Sequence, residues 1–201
     1  VGASKVILSE AERRLIADAD IILTKNSAIE KIVALFGELA ESYRSTCSHL
    51  LNTNPGHFGI HPKISKGEKH RRLPWVILDY PRTFSKEQGH LAVRTFFWWG
   101  NYFSLHLQVS GTFLNPALLA LSANKLPAGW VAGLTNDPWE LDFPGKTWLG
   151  INNKPADGDW YLIVSKKIPI TGWETAGVVL CEDYTVLAEI MELVLSTKPV
   201  E

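Results

Sequence analysis

His106, Arg94 and Asp79 are the residues of this chain whose side chains could do chemistry as a set. An imidazole titrates near neutrality and can act as general acid or base, a guanidinium can hold an anion, and a carboxylate can orient either of them. His106 and Arg94 belong to one stretch, Arg94 to Gln108, "RTFFWWGNYFSLHLQ", in which six aromatic rings fall within eight positions and the latter half alternates polar with apolar. Gly100-Asn101 lies between two strand-like runs, and a two-residue loop opening on glycine is a type II′ hairpin signal. With that turn, opposed residues have numbers summing to 201, and opposed residues share a face. One face then carries Ala92, Arg94, Phe96, Trp98, Phe103, Leu105, Leu107 and Val109, a core side. The other carries Val93 with Thr95, Phe97, Trp99, Tyr102, Ser104, His106 and Gln108, broad rings mixed with hydroxyl, imidazole and amide groups.

That second face has the make-up of a pocket wall for a small amphipathic ligand or a partner segment: area for affinity and a few directional groups for orientation. It also fits a half-solvated sheet face whose rings seal against a neighbouring loop. Arg94 among apolar partners requires a carboxylate, and Asp79, which ends the apolar run "WVILD" on the face of Trp75 and Ile77, is the natural one. A catalytic set needs Arg94 and His106 to converge, and the two-residue turn separates them. If the strand instead runs on through Gly100, the parity before it flips: Arg94 joins His106, and Phe97 and Trp99 become core.

Other constellations are weaker. "HFGIHPKISKGEKHRR", His57 to Arg72, gathers five Lys/Arg and three His against the single acid Glu68, but Gly and Pro break it and no aromatic platform is interleaved, so it reads as a solvated loop. His57 and His61 have the spacing of paired zinc ligands, yet Gly59 and Pro62 oppose a helix there. Asp137, Glu140 and Asp142 in "NDPWELDF" could hold a cation or act in acid/base work, and fit equally a turn and short strand with the acids facing solvent. Cys47 precedes His49 closely, but Cys47 and Cys181 show no metal spacing and suit two thiols in a reducing compartment. Nucleophile-elbow, P-loop and dinucleotide fingerprints are absent. Five further tryptophans, scattered singly, suit a generous core or a carbohydrate-stacking surface.

The elements that must position these residues follow from periodicity. Ser9 with Glu12 and Ser27 with Glu30 have capping-box spacing, which predicts two consecutive helices, the first ending near Leu23 and the second carrying a stripe from Ile29 to Tyr43. A third helix follows Asp183. Strands are predicted at 75–80, 92–99, 102–110, 147–152 and 160–167, with Asp157-Gly158 as a tight connection between the last two. Asn115-Pro116 opens a short helix through Leu121, and 123–145 is irregular apart from a short strand near 139–143. The expected fold is a single α+β domain over 1–201: a helical hairpin at about 9–46, a mostly antiparallel sheet within about 74–168, and a C-terminal helix at about 183–196.

Net charge of −1 argues against a general polyanion binder, so nucleic acid is not an expected partner. No apolar run reaches the ~18 residues of a membrane span, and the start at Val1 leaves room for a removed leader. The expectation is a cytoplasmic binding or interaction protein with a small-molecule or protein partner and no cofactor or metal. The alternative is an enzyme using His106, Arg94 and Asp79.

Overall fold

The computed structural model describes residues 5–59, 61–143, 149–153 and 158–197. Helix α1 (Glu10–Ala17) opens on the Ser9/Glu12 capping box. A one-residue break at Asp18, whose side chain accepts from the Asp20 N–H, leads into the long α2 (Ala19–Thr46) and the short α3 (Ser48–Thr53). The helix boundary thus falls at Asp18 rather than between Leu23 and Ser27. Asp18 supplies the cap, and Ser27 and Glu30 sit inside α2, where the backbone needs none.

Six strands form one sheet: β1 (Lys63–His70), β2 (Leu73–Ser85), β3 (Gly89–Trp98), β4 (Tyr102–Val109), β5 (Val131–Thr135) and β6 (Tyr161–Pro169), in the order β1-β2-β3-β4-β6-β5 with every pairing antiparallel. Two strands lie where loop was expected. The lysine-rich stretch forms edge strand β1, where charge on an exposed edge discourages pairing with another chain. Weak β propensity hides this strand in the sequence. Gly67 lies flat beneath the Trp75 indole, which would clash with any Cβ. β5 falls in the punctuated stretch 123–145, while 139–143 forms turns rather than a strand. Of the strand expected at 147–152, Leu149 makes a single bridge to Leu134; Thr147, Trp148 and Asp157 lie outside the described residues.

Helix α4 (Leu114–Ala123) follows β4, and α5 (Trp173–Ser196) begins ten residues before the expected start. Asp183 does not cap α5. It is buried on it and takes Lys166 Nζ at 2.6 Å. The main core lies between the sheet and α2, α4 and α5. There the Tyr43 and Tyr184 rings stack at 3.8 Å, and Phe36 and Phe103 meet with centroids 6.4 Å apart.

The central hairpin turns differently from the expected type II′ loop. Trp98 pairs with Tyr102 and Arg94 with His106, so opposed numbers sum to 200 and the turn is the three residues Trp99, Gly100 and Asn101. Trp99 N–H still donates to Pro74 O at 3.0 Å, Gly100 takes φ +71°, and the Asn101 amide donates to Trp99 O at 2.8 Å. The extra turn residue flips the parity of β3. Leu91, Val93, Thr95 and Phe97 face the helices with Phe103, Leu105, Leu107 and Val109. Ala92, Arg94, Phe96 and Trp98 share the far face with Tyr102, Ser104, His106 and Gln108.

Candidate functional site

Two places gather the chemistry-bearing residues. The first is the far face of the sheet. One rung crosses it through Lys63, Asp79, Arg94, His106, Ser165 and Val131, each opposite the next. Arg94 Nε and Nη2 donate to the two Asp79 carboxylate oxygens at 2.7 and 3.1 Å, and the Trp139 ring lies 4.8 Å from the guanidinium carbon. His106 Nε2 lies 2.7 Å from Ser104 Oγ and Nδ1 lies 2.6 Å from Ser165 Oγ. A neutral ring has one donor and one acceptor nitrogen, so one serine donates to it and the other accepts. Burial, then the neighbouring Arg94 and Lys167 charges, hold His106 well below the ordinary histidine range, so it is neutral.

The segment 136–143 straps this rung down. Leu141 is fully buried among Ile77, Phe96 and Trp98, making a second small core. Gln108 Nε2 donates to Pro138 O at 2.6 Å, and the Phe143 ring meets His106 edge-on. Arg71 donates to Asp142 at 2.6 Å and to Glu140 at 2.9 Å, while Lys167 and Tyr102 donate to the other Asp142 oxygen at 2.9 and 3.1 Å. Burial works to raise Asp142, but Lys167, Tyr102 and Arg71 outweigh it and leave the carboxyl below its usual range. The acids of "NDPWELDF" therefore fasten a strap. Among the described residues no group of three or more His, Cys, Asp or Glu could hold a metal ion.

The flipped register redistributes the expected pocket wall. Tyr102, Ser104, His106 and Gln108 lie under the strap, with Ser104 and His106 at 0 % exposure. Thr95 turns the other way, and its hydroxyl meets Tyr43 OH at 3.1 Å inside the main core. Phe97 and Trp99 also belong to the helix side. Arg94, assigned to an apolar face by the two-residue turn, lies beside His106 as the flipped parity requires.

The second place is on that helix side, at the hairpin tip. A depression of about 410 Å³ opens between α2, the turn and the start of α5, with Phe97, Trp99, Phe103, Ile170 and Trp173 as its apolar lining and Lys31 on its rim. No family model, curated protein or solved structure matches this chain. The chemistry of the depression is thus read from its own atoms. Trp173 is 42 % exposed and Trp99 half-buried, so two indoles present area to a visitor. Lys31 is exposed and has no ion-pair partner among the described residues. The N-terminus of α5 carries no side-chain cap, and Glu174 is the acid of its first turn. Beyond Trp99 a second apolar hollow runs along Ile21, Ile22 and Pro74, where Lys25 pairs with Glu68. Sequence reasoning picked out Trp99 and Phe97 but not Lys31, Ile170 or Trp173. The α2 stripe from Ile29 to Tyr43 spans Ile32, which also lines the depression, yet nothing local announced that α5 would start beside that turn.

Proposed function

We propose that the protein is a binding protein whose apolar groove at the Trp99 turn takes a small amphipathic molecule, an acyl chain ending in a carboxylate. The observation that carries this is an open, indole-lined floor with an ammonium at its rim that has no ion-pair partner among the described residues. The apolar lining suits a hydrocarbon body, and Lys31 together with the positive end of the α5 dipole suits an anionic head. A volume of about 410 Å³ lies within the ordinary range of ligand pockets. Two thiols without a disulfide partner, Cys47 and Cys181, suit the cytoplasmic setting that goes with this reading. Among the described residues no helix is long and apolar enough to cross a membrane. Titration with dodecanoate, followed by tryptophan fluorescence and melting temperature, tests the proposal. Saturable quenching with a raised melting point is expected, both weakened at least tenfold in Trp99→Ala and in Lys31→Glu. An unchanged spectrum and melting point would overturn it.

A second reading, an enzyme using His106 beside Arg94 and Asp79, is supported by the convergence of His106 and Arg94 on one rung. Against it stand the full burial of His106, the engagement of both its nitrogens, and the occupation of Arg94 by Asp79. Such a site would work only with the strap lifted. Arg71→Ala, which removes the bonds that tie the strap's Glu140 and Asp142 to Arg71, is the variant in which that activity would rise.

A further inference from the structure

The N-terminal helices carry an apolar surface that starts at Ile21 and Ile22, in the hollow beyond Trp99, and runs away from the groove onto α1. Along α2 the side chains of Ile29, Phe36 and Tyr43 recur every seven residues and are buried. The same interval leads back along α2 to Ile22, which is 51 % exposed; beyond the break at Asp18, Leu15 on α1 and Leu8 before it are 48 % and 38 % exposed. No residue of α1 is buried. Ile7 and Ile16 on the N-terminal segment and Ile21 and Leu23 on the first turn of α2 extend the exposed surface. The buried stripe of α2 thus ends in the exposed Ile22, and beyond the break at Asp18 the apolar side chains of α1 are uncovered as well.

We propose that this surface is the interface between two copies of the chain, each laying α1 and the first turns of α2 against the same elements of the other. Three features favour a second copy. The seven exposed aliphatic side chains just named are enough to supply much of the ~800 Å² that one partner gives to a standard interface. A two-fold pair brings like elements together, so the exposed aliphatic side chains of α1 and of the first turns of α2 on one copy meet their equivalents on the other. Between Lys5 and Lys25 there are four acids (Glu10, Glu12, Asp18, Asp20) and four bases (Lys5, Arg13, Arg14, Lys25), so identical segments meet without net repulsion and with opposite charges for the rim. A small ligand would leave most of so long a surface in water.

Sedimentation of the whole chain across a wide concentration range tests this. The wild type is expected at twice the chain mass of 22.4 kDa. Leu15→Glu/Ile16→Glu on α1 and, separately, Leu23→Glu on α2 are expected to weaken the dimer on the order of a hundredfold. Their circular dichroism should stay native, because all three positions are exposed. Dodecanoate quenching at Trp99 should also persist, which separates this proposal from the groove. A wild type that is monomeric throughout, or a dimer indifferent to both variants, would overturn it. So would a monomer that co-floats with phosphatidylglycerol vesicles, which would assign the surface to lipid.

Discussion

Arg94 is fixed by a two-point bond to Asp79 and by the Trp139 ring over its face, all at a buried position. A guanidinium so placed is tolerable only while its carboxylate stays. Asp79→Ala should therefore destabilise by about 3–5 kcal/mol, more than a surface ion pair could explain. Removing both charges with Asp79→Leu/Arg94→Met should cost less than the two single losses added, because no charge is left stranded. Urea unfolding of Asp79→Leu, Arg94→Met and the double variant, beside Asp79→Ala, measures this. His106 makes a second residue-level prediction. Its folded pKa lies below its ordinary value of 6.5, so the unfolded chain takes up the proton first. Stability is then fully present above that value and lost as pH falls beneath it. In His106→Gln the pH slope of the unfolding free energy below pH 6.5 should be shallower, whatever the variant's absolute stability. An unchanged slope would show that His106 is not the group kept neutral.

At the scale of elements, the decisive feature is the three-residue turn. Gly100 takes φ +71°, and a Cβ there meets nothing within 4 Å, so Gly100→Ala should cost only the conformational penalty, about 1 kcal/mol. Gly89 combines φ +98° with the Ser110 carbonyl and Gly111 Cα in the space a Cβ would fill. Gly89→Ala should cost distinctly more, and thermal melts of the two variants rank them. Much of this architecture was legible in sequence: the Ser9/Glu12 cap, the α2 stripe, and the cores of β2, β3, β4 and β6 all follow local periodicity. The turn length did not, because Gly-Asn fits a two-residue loop as well as the last two positions of a three-residue one. The choice between them rests on long-range pairing, such as the bond from Trp99 N–H to Pro74 O and the pairing of β3 with β2 and of β4 with β6. That single residue moved Thr95 and Phe97 to the helix side and brought Arg94 to His106. The Arg94–Asp79 pair was legible because the cost of burying a lone charge demands it. β1 and β5 were hidden because their polar or glycine-bearing sequences become strands only through pairing with β2 and β6.

Taken whole, the molecule covers the two faces of its sheet by different means. Helices α2, α4 and α5 bury one face in a large apolar core, while the other is closed by a strap pinned through Leu141, Arg71 and Lys167. The polar rung lies beneath the strap, so its geometry serves to hold the sheet and strap in register. Accessible apolar surface is left at the helix end of the molecule, around Trp99 and along the N-terminal helices. On the proposed reading a ligand binds on the helix side of the hairpin tip and not on the polar face. Indole N–H resonances in a ¹H–¹⁵N spectrum, recorded as dodecanoate is added, test it most directly. The Trp99 and Trp173 signals should shift together and saturate, with Trp139 and the His106 ring unmoved. Shifts at Trp139 and His106 with Trp99 and Trp173 unmoved would put the site under the strap and contradict the claim.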